Sequence, residues 1–215
     1  MTDKLTLYRG ALSYLQERTI ASLSEAREPV RVLNDIYDQE VAYCLEREFW
    51  NFTYRAIQLD ADSNFTPSFG YNFAFLIPTD WIRTRRISAT PEMLEPITRI
   101  SEEAGYWFCD LTPLYIQYNS NDPQYGMNLG KWPPTFADYV EVRLARRAAG
   151  RITSKAELLT GPDSLIKQEY NARRVAAANC AMNEAVAFAP MCSWAKSRRY
   201  PGPNADNPTG PTLIP

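Results

Sequence analysis

The chain has 215 residues, carries 23 Lys and Arg against 25 Asp and Glu for a formal charge of −2, and contains no histidine. That length allows one generous domain or two small ones, and the slight acidity argues against a dedicated nucleic-acid binder, which shows a basic excess. Without histidine, Ser-His-Asp and Cys-His nucleophiles, most zinc sites and the commonest neutral-pH general base are excluded, so an enzyme would have to work with carboxylates or lysine.

Leu5, Tyr8, Leu12 and Leu15 recur at three- and four-residue steps and predict a short amphipathic helix from Asp3 to Glu17. Ser22 to Glu28 reads as a connector. Pro29 suits a first helical position, with Glu25 and Glu28 near the positive end of the helix dipole. Leu33, Ile36, Tyr37, Val41, Cys44 and Leu45 then keep helical spacing to about Phe49, a stripe read as core.

After Trp50 the texture changes. Phe52, Tyr54, Ala56 and the Ile57/Leu59 region alternate loosely, and Asp60 to Pro67 is turn-like. Strand candidates follow at Tyr71–Ile77, Trp81–Ile87, Ile97–Ser101, Tyr106–Asp110 and Leu114–Asn119, broken by Pro78, Pro91, Pro96, Gly105 and Pro113. Short strands at this spacing indicate a small antiparallel sheet or barrel. Ser120 to Pro134 is a polar connector.

Helical patterning returns at Thr135, a capping residue type. Phe136, Tyr139, Val140, Val142, Leu144 and Ala148 form an apolar face that ends at Gly150. A further helix opens at Thr160-Gly161-Pro162-Asp163, runs through Leu165, Ile166, Tyr170, Ala177, Ala181, Ala185 and Phe188, and stops before Pro190. Its alanines (176, 177, 178, 181, 185) let a neighbouring helix approach closely, and high intrinsic helix propensity is the competing explanation.

The chain ends in a tail, Tyr200-Pro201-Gly202-Pro203 onward, with Pro208, Pro211, Leu213 and Ile214. Ordering it costs roughly 1–2 kcal/mol per residue, less where proline already restricts the free chain. Such a segment cannot join a sheet or helix, yet it ends in apolar side chains, as one made to order on another molecule would. A terminus without a role is the alternative.

The fold class expected is therefore α+β. A helical bundle comes from residues 1–50 and 133–195, a small antiparallel β-sheet or barrel is inserted over 51–132, and an extended arm covers 196–215. No apolar run is long enough to span a bilayer, and the N-terminus lacks the charged and apolar regions of a secretory signal. Cys44, Cys109, Cys180 and Cys192 are scattered, without a CxxC pair, and read as free, partly buried thiols.

Charge is uneven. From Arg146 to Arg199 there are ten Lys and Arg (146, 147, 151, 155, 167, 173, 174, 196, 198, 199) against four Asp and Glu, so the remainder is acidic on balance. Such asymmetry serves head-to-tail packing of copies or a basic face toward DNA. A solvated helix surface is the plain alternative. Arg83 and Arg85 would share one face of a strand, which could meet carboxylates of a partner or phosphates of DNA; the partner is favoured because the whole chain is not basic.

Other motifs fail on inspection. Asp60-Ala61-Asp62-Ser63-Asn64 opens like a calcium loop, but Phe65 and Tyr71 occupy the glycine and glutamate positions. The acceptor patterns at Asn51 and Asn64 mean nothing without a secretory signal. No GxGxxG or P-loop motif is present. Glu102 and Glu103 read as a solvated acidic turn rather than an acid/base pair, and Trp81, Trp107 and Trp132 as core or subunit interface rather than base- or sugar-stacking residues.

Several stretches are similar to one known family. They are Leu7-Tyr8-Arg9-Gly10-Ala11-Leu12, Glu17 to Leu23, Glu25-Ala26-Arg27-Glu28-Pro29, Pro78-Thr79-Asp80-Trp81, Glu103-Ala104-Gly105-Tyr106-Trp107 and Tyr118 to Gly126. In that order they resemble tail tubular protein A, the head-to-tail adaptor (gatekeeper) family of T7-like short-tailed bacteriophages, from about Leu5 to Tyr200. No single motif is chemically diagnostic; the ordered series carries the likeness.

The resemblance implies a structural protein of the virion, at the head-tail junction, with no enzymatic activity and no cofactor or metal. It implies a homo-oligomeric, dodecameric ring between the portal protein and a tail nozzle like tail tubular protein B, around a channel through which genomic DNA passes, without membrane contact. Such a ring helps retain and release the genome. On that layout the arm residues Arg198, Arg199, Tyr200, Pro201, Pro203, Leu213 and Ile214 are candidates for portal binding. Trp81, Arg83, Arg85, Tyr106 and Trp107 are candidates for the nozzle contact or a β-domain interface, and Arg146, Arg147, Lys167, Arg173 and Arg174 for subunit contacts or the channel. Ring closure multiplies modest contacts through effective concentration, so no strong single site is needed. The alternatives are a virion-associated hydrolase using two carboxylates and a DNA-binding regulatory protein.

Overall fold

A computed structural model of the chain describes residues 2–93, 96–153, 157–161 and 163–183. Helix α1 spans Lys4–Tyr14, and Asp3 caps it by accepting from the Thr6 amide at 2.7 Å. It ends before the predicted Glu17 because Gln16 turns left-handed at φ 56°. Gln16 N then donates to Ser13 O and Glu17 N to Leu12 O, both at 3.0 Å, the paired bonds that close a helix end, here without glycine.

Helix α2 (Glu28–Arg47) has Pro29 in its first turn as expected, and stops short of Phe49 because Glu48 is already extended. A 3-10 turn at Asn51–Thr53 leads into β1 (Tyr54–Leu59). The strands β2 (Phe73–Leu76), β3 (Trp81–Ser88), β4 (Ile100–Glu103), β5 (Tyr106–Cys109) and β6 (Leu114–Ser120) follow. They make two antiparallel sheets, ordered β1-β6-β3 and β2-β5-β4. Neither closes, so open sheets take the place of the barrel alternative. The three strands of the second sheet have four residues each, short for wrapping a barrel.

The β4–β5 hairpin corrects one local reading. Glu102 and Glu103 end strand β4, and the turn itself is Ala104-Gly105, with φ 49° and 84°, as a two-residue type I′ turn requires.

Helix α3 spans Pro134–Ile152 with Pro133 at its N-cap, so Thr135 does not cap; its Oγ1 instead accepts from Asn179 Nδ2 at 3.3 Å. Gly150 keeps a negative φ, and the helix runs two residues past it. A single turn, α4 (Glu157–Thr160), was not expected. Helix α5 is Leu165–Met182, opening after Ser164 rather than at Thr160–Asp163. The expected continuation through Ala185 and Phe188, the arm residues and Cys192 lie outside the described residues.

Two apolar cores form. The helical one is centred on Trp50, whose ring meets Phe136 edge-on at 4.8 Å and whose Nε1 donates to Cys44 O at 2.9 Å. The other, between the sheets, holds Phe75, Trp107, Cys109, Leu114, Ile116 and Tyr118. Helix α5 buries Leu165, Ala172, Ala176 and Cys180, and packs against α3; Ala178 and Ala181 are exposed. Cys44, Cys109 and Cys180 are buried, and burial pushes the Cys44 thiol up, away from reactivity.

One contact makes stability depend on pH. Gly10 of α1 has no side chain, and the Glu141 carboxylate of α3 sits where a Cβ would be. Burial, with the nearby Asp138 charge, raises the Glu141 carboxyl from 4.5 to about 7. The folded state therefore holds a proton that the unfolded chain has released, and stability falls as pH rises between about 4.5 and about 7. Glu141 keeps some solvent exposure, so screening discounts the effect to about 1 kcal/mol. Glu141→Gln should raise stability by that amount at pH 8 and leave it nearly unchanged at pH 4, as thermal unfolding at the two pH values would show.

Candidate interaction surfaces

Two of the segments that carry the family likeness meet at Asp80, in the turn before β3. Its carboxylate pairs with the Arg55 guanidinium of β1 at 2.8 Å, accepts from the Tyr118 hydroxyl at 3.1 Å, and accepts from Ser120 Oγ. Its backbone carbonyl accepts from Asn121 N at 2.9 Å. Burial opposes the charge, but hydrogen bonds from Ser120, Arg55 and Tyr118 outweigh it and hold the Asp80 carboxyl below its usual range.

From β6 the connector doubles back. Gly126 N donates to Ser120 O at 3.1 Å, an approach so close that a Cβ there would strike that carbonyl. Trp132 Nε1 then donates to Gly126 O at 2.7 Å, and Asn119 Nδ2 donates to Glu48 O at 2.9 Å, tying the first sheet to the end of α2. These motif residues are thus used to build the joint between sheet and helices.

A second polar constellation, not foreseen from the sequence, ties three helices. Arg143 of α3 donates from Nε to Glu40 of α2 at 2.6 Å and from a terminal nitrogen to Glu169 of α5 at 3.2 Å, with its guanidinium 3.9 Å from the Tyr43 ring centre. Arg147 reaches Glu40 and Arg146 reaches Glu169, both at 2.7 Å. Burial works against the Arg143 charge, and Glu40 and Glu169 more than offset it. The signal was available: Glu40 interrupts an apolar helical stripe, and Arg143, Arg146 and Arg147 share one face at three- and four-residue steps.

The network includes some of the basic residues expected at subunit contacts or the channel. Arg146 and Arg147 spend their charge inside the chain, and Arg173 pairs with Glu48 at 3.1 Å, holding α5 to the end of α2. Lys167 and Arg174 lie exposed on α5.

The residues expected at a nozzle or β-domain interface separate. Trp107 is buried, 1% exposed, and donates to Glu102 at 3.2 Å, so it is core rather than contact surface. Trp81 is half-buried, edge-on to Trp107 at 6.1 Å. Tyr106 leaves β5 on the opposite side from Trp107, stacked on Phe65 at 4.6 Å. It belongs to an outer aromatic face with Phe108 and Tyr71, and Leu76 (58% exposed) stands in register beside Tyr106. Apolar area left outside in this way makes this face a candidate interaction surface. The alternation Tyr106-Trp107-Phe108-Cys109 was its signal: the even-numbered residues face outward. Arg83 lies over Phe49 at 4.3 Å and Arg85 over Tyr54 at 4.0 Å.

Among the described residues no group of three His, Cys, Asp or Glu is placed to hold a metal ion, and no helix is long and apolar enough to cross a membrane. No family model matches the chain, and no curated protein matches it either.

Proposed function

We propose that this chain is a structural head-to-tail adaptor of a short-tailed phage virion, forming a ring between portal and tail nozzle around the DNA channel. What carries the reading is the ordered series of segments similar to the adaptor family, two of which pack on each other at Asp80 as structural motifs would. The outer aromatic face of the second sheet is the surface offered to the nozzle. The tail after Tyr200 is the segment offered to the portal. On this reading the protein needs no catalytic group, because docking and ring closure supply its function.

The test is mass determination of the purified chain alone and after mixing with a portal ring. A monomer that becomes a stoichiometric ring on the portal is expected. A chain that ignores the portal would remove the adaptor reading. Deleting residues after Tyr200 should leave a folded protein that attaches more weakly; equal attachment would show that the arm takes no part.

A further inference from the structure

Strict alternation along β3 would place Arg83 and Arg85 on one face and Arg86 on the other. A bulge between Thr84 and Arg86 changes this. Arg83 opposes Asn119 and Arg86 opposes Gln117, two residues apart on β6, so both side chains leave the sheet on the same side. Arg85, the inserted residue, lies over Tyr54, which is itself in register with Asn119.

The end of α2 adds to this face. Arg47 and Arg83 line a cleft of about 360 Å³ together with Tyr43, Glu46 and Ile82. Arg47 lies 5.4 Å from the Tyr43 ring centre, and Arg83 lies over Phe49, which is 36% exposed. Both guanidinium groups lie near an aromatic ring yet stay exposed, which leaves N–H donors open to a bidentate anion. The nearby carboxylates are mostly committed: Glu48 to Arg173 and Asp80 to Arg55, with Glu46 the acidic residue lining the cleft.

We propose that Arg47, Arg83 and Arg86 form a contact surface for the phosphodiester backbone of duplex DNA. Two residues along a strand separate the positions of Arg83 and Arg86 by roughly 7 Å, comparable with the step between neighbouring phosphates on one DNA strand. A regular anion repeat matches this surface better than scattered carboxylates on a protein do. The contact is weak and independent of base sequence, because it lies on an acidic chain and reads phosphate alone. It deepens the adaptor reading and rests on it only for which DNA is met.

The test uses the full chain and a short fluorescein-labelled duplex, followed by anisotropy across a series of NaCl concentrations. Binding with a dissociation constant of about 10⁻⁴ to 10⁻⁶ M at physiological salt is expected. The Arg47→Gln/Arg83→Gln/Arg86→Gln variant should lose at least tenfold in affinity at low salt. Its log–log salt slope should shrink by about 2.7, or roughly 0.9 per lost phosphate contact. Arg31→Gln, exposed near the start of α2, should leave the slope unchanged, and an unaltered urea midpoint would show that the triple variant is folded.

An unchanged slope in the triple variant, or no duplex binding by the parent chain, overturns the proposal. Binding of poly-glutamate in place of the duplex also overturns it, in favour of an acidic protein partner. Portal-templated ring formation by the same triple variant, measured in parallel, keeps the two readings apart. Rings that form normally while the DNA effect is missing would sink this inference alone.

Discussion

Arg143→Met should lower the unfolding free energy by about 3 kcal/mol, at the lower end of what breaking a buried ion pair costs. The residue is 9% exposed and sits between Glu40 at 2% and Glu169 at 8%. Methionine fills similar volume but leaves both carboxylates to their outer partners, Arg147 and Arg146, whose side chains are 51% and 35% exposed. Those partners soften the loss, which is why the lower end applies.

Urea denaturation at constant m-value reads the effect as a shift in midpoint. Adding Glu40→Gln to Arg143→Met removes one of the stranded charges and should recover at least half of the loss, because a buried charge without its partner costs more than no charge. A single variant within about 0.5 kcal/mol of the parent, the ordinary range for surface substitutions, would mean that the network orients the helices without stabilising them.

Asp80→Ala should cost about 2–4 kcal/mol, from two or three polar groups left without their acceptor. Tyr118 and Ser120 are both fully buried, and Arg55 loses its carboxylate. Asp80→Asn keeps one acceptor oxygen but turns an NH₂ toward a set of donors, so it should recover little. The pH dependence separates this from simple loss of packing. The Asp80 carboxyl is held below its ordinary value of 3.8, so its contribution is complete above that value and is lost as pH falls through the lower folded value. The stability gap between parent and Asp80→Ala should therefore be widest at neutral pH and shrink on acidification below 3.8. A gap that stays constant from pH 7 to pH 2.5 would rule out the carboxylate as its cause.

What the sequence determined by itself was whatever depends on local periodicity. Apolar residues at three- and four-residue steps placed α1, α2, α3 and α5, and alternation between prolines located β2 through β6 to within a few residues. The helix ends were less legible. Gln16 takes a left-handed conformation that its side chain does not advertise, and Gly150 does not take the one that glycine favours. Caps depend on where the chain goes next, and Thr135 bonds to α5 instead of its own helix.

Tertiary structure alone decided the pairing of residues far apart in the chain. Glu40, Arg143 and Glu169 come from three helices, and Asp80 gathers donors from two other strands. Burial gives such pairs their energy, and burial is set by how elements pack rather than by spacing within one of them. The same reason moved Arg146, Arg147 and Arg173 from free surface charge to internal partners, and put Trp107 in the core while Tyr106 beside it faces out. The bulge in β3 is the smallest case. One extra residue on one side of a ladder turns Arg86 to the face of Arg83, and only the register against β6 determines it.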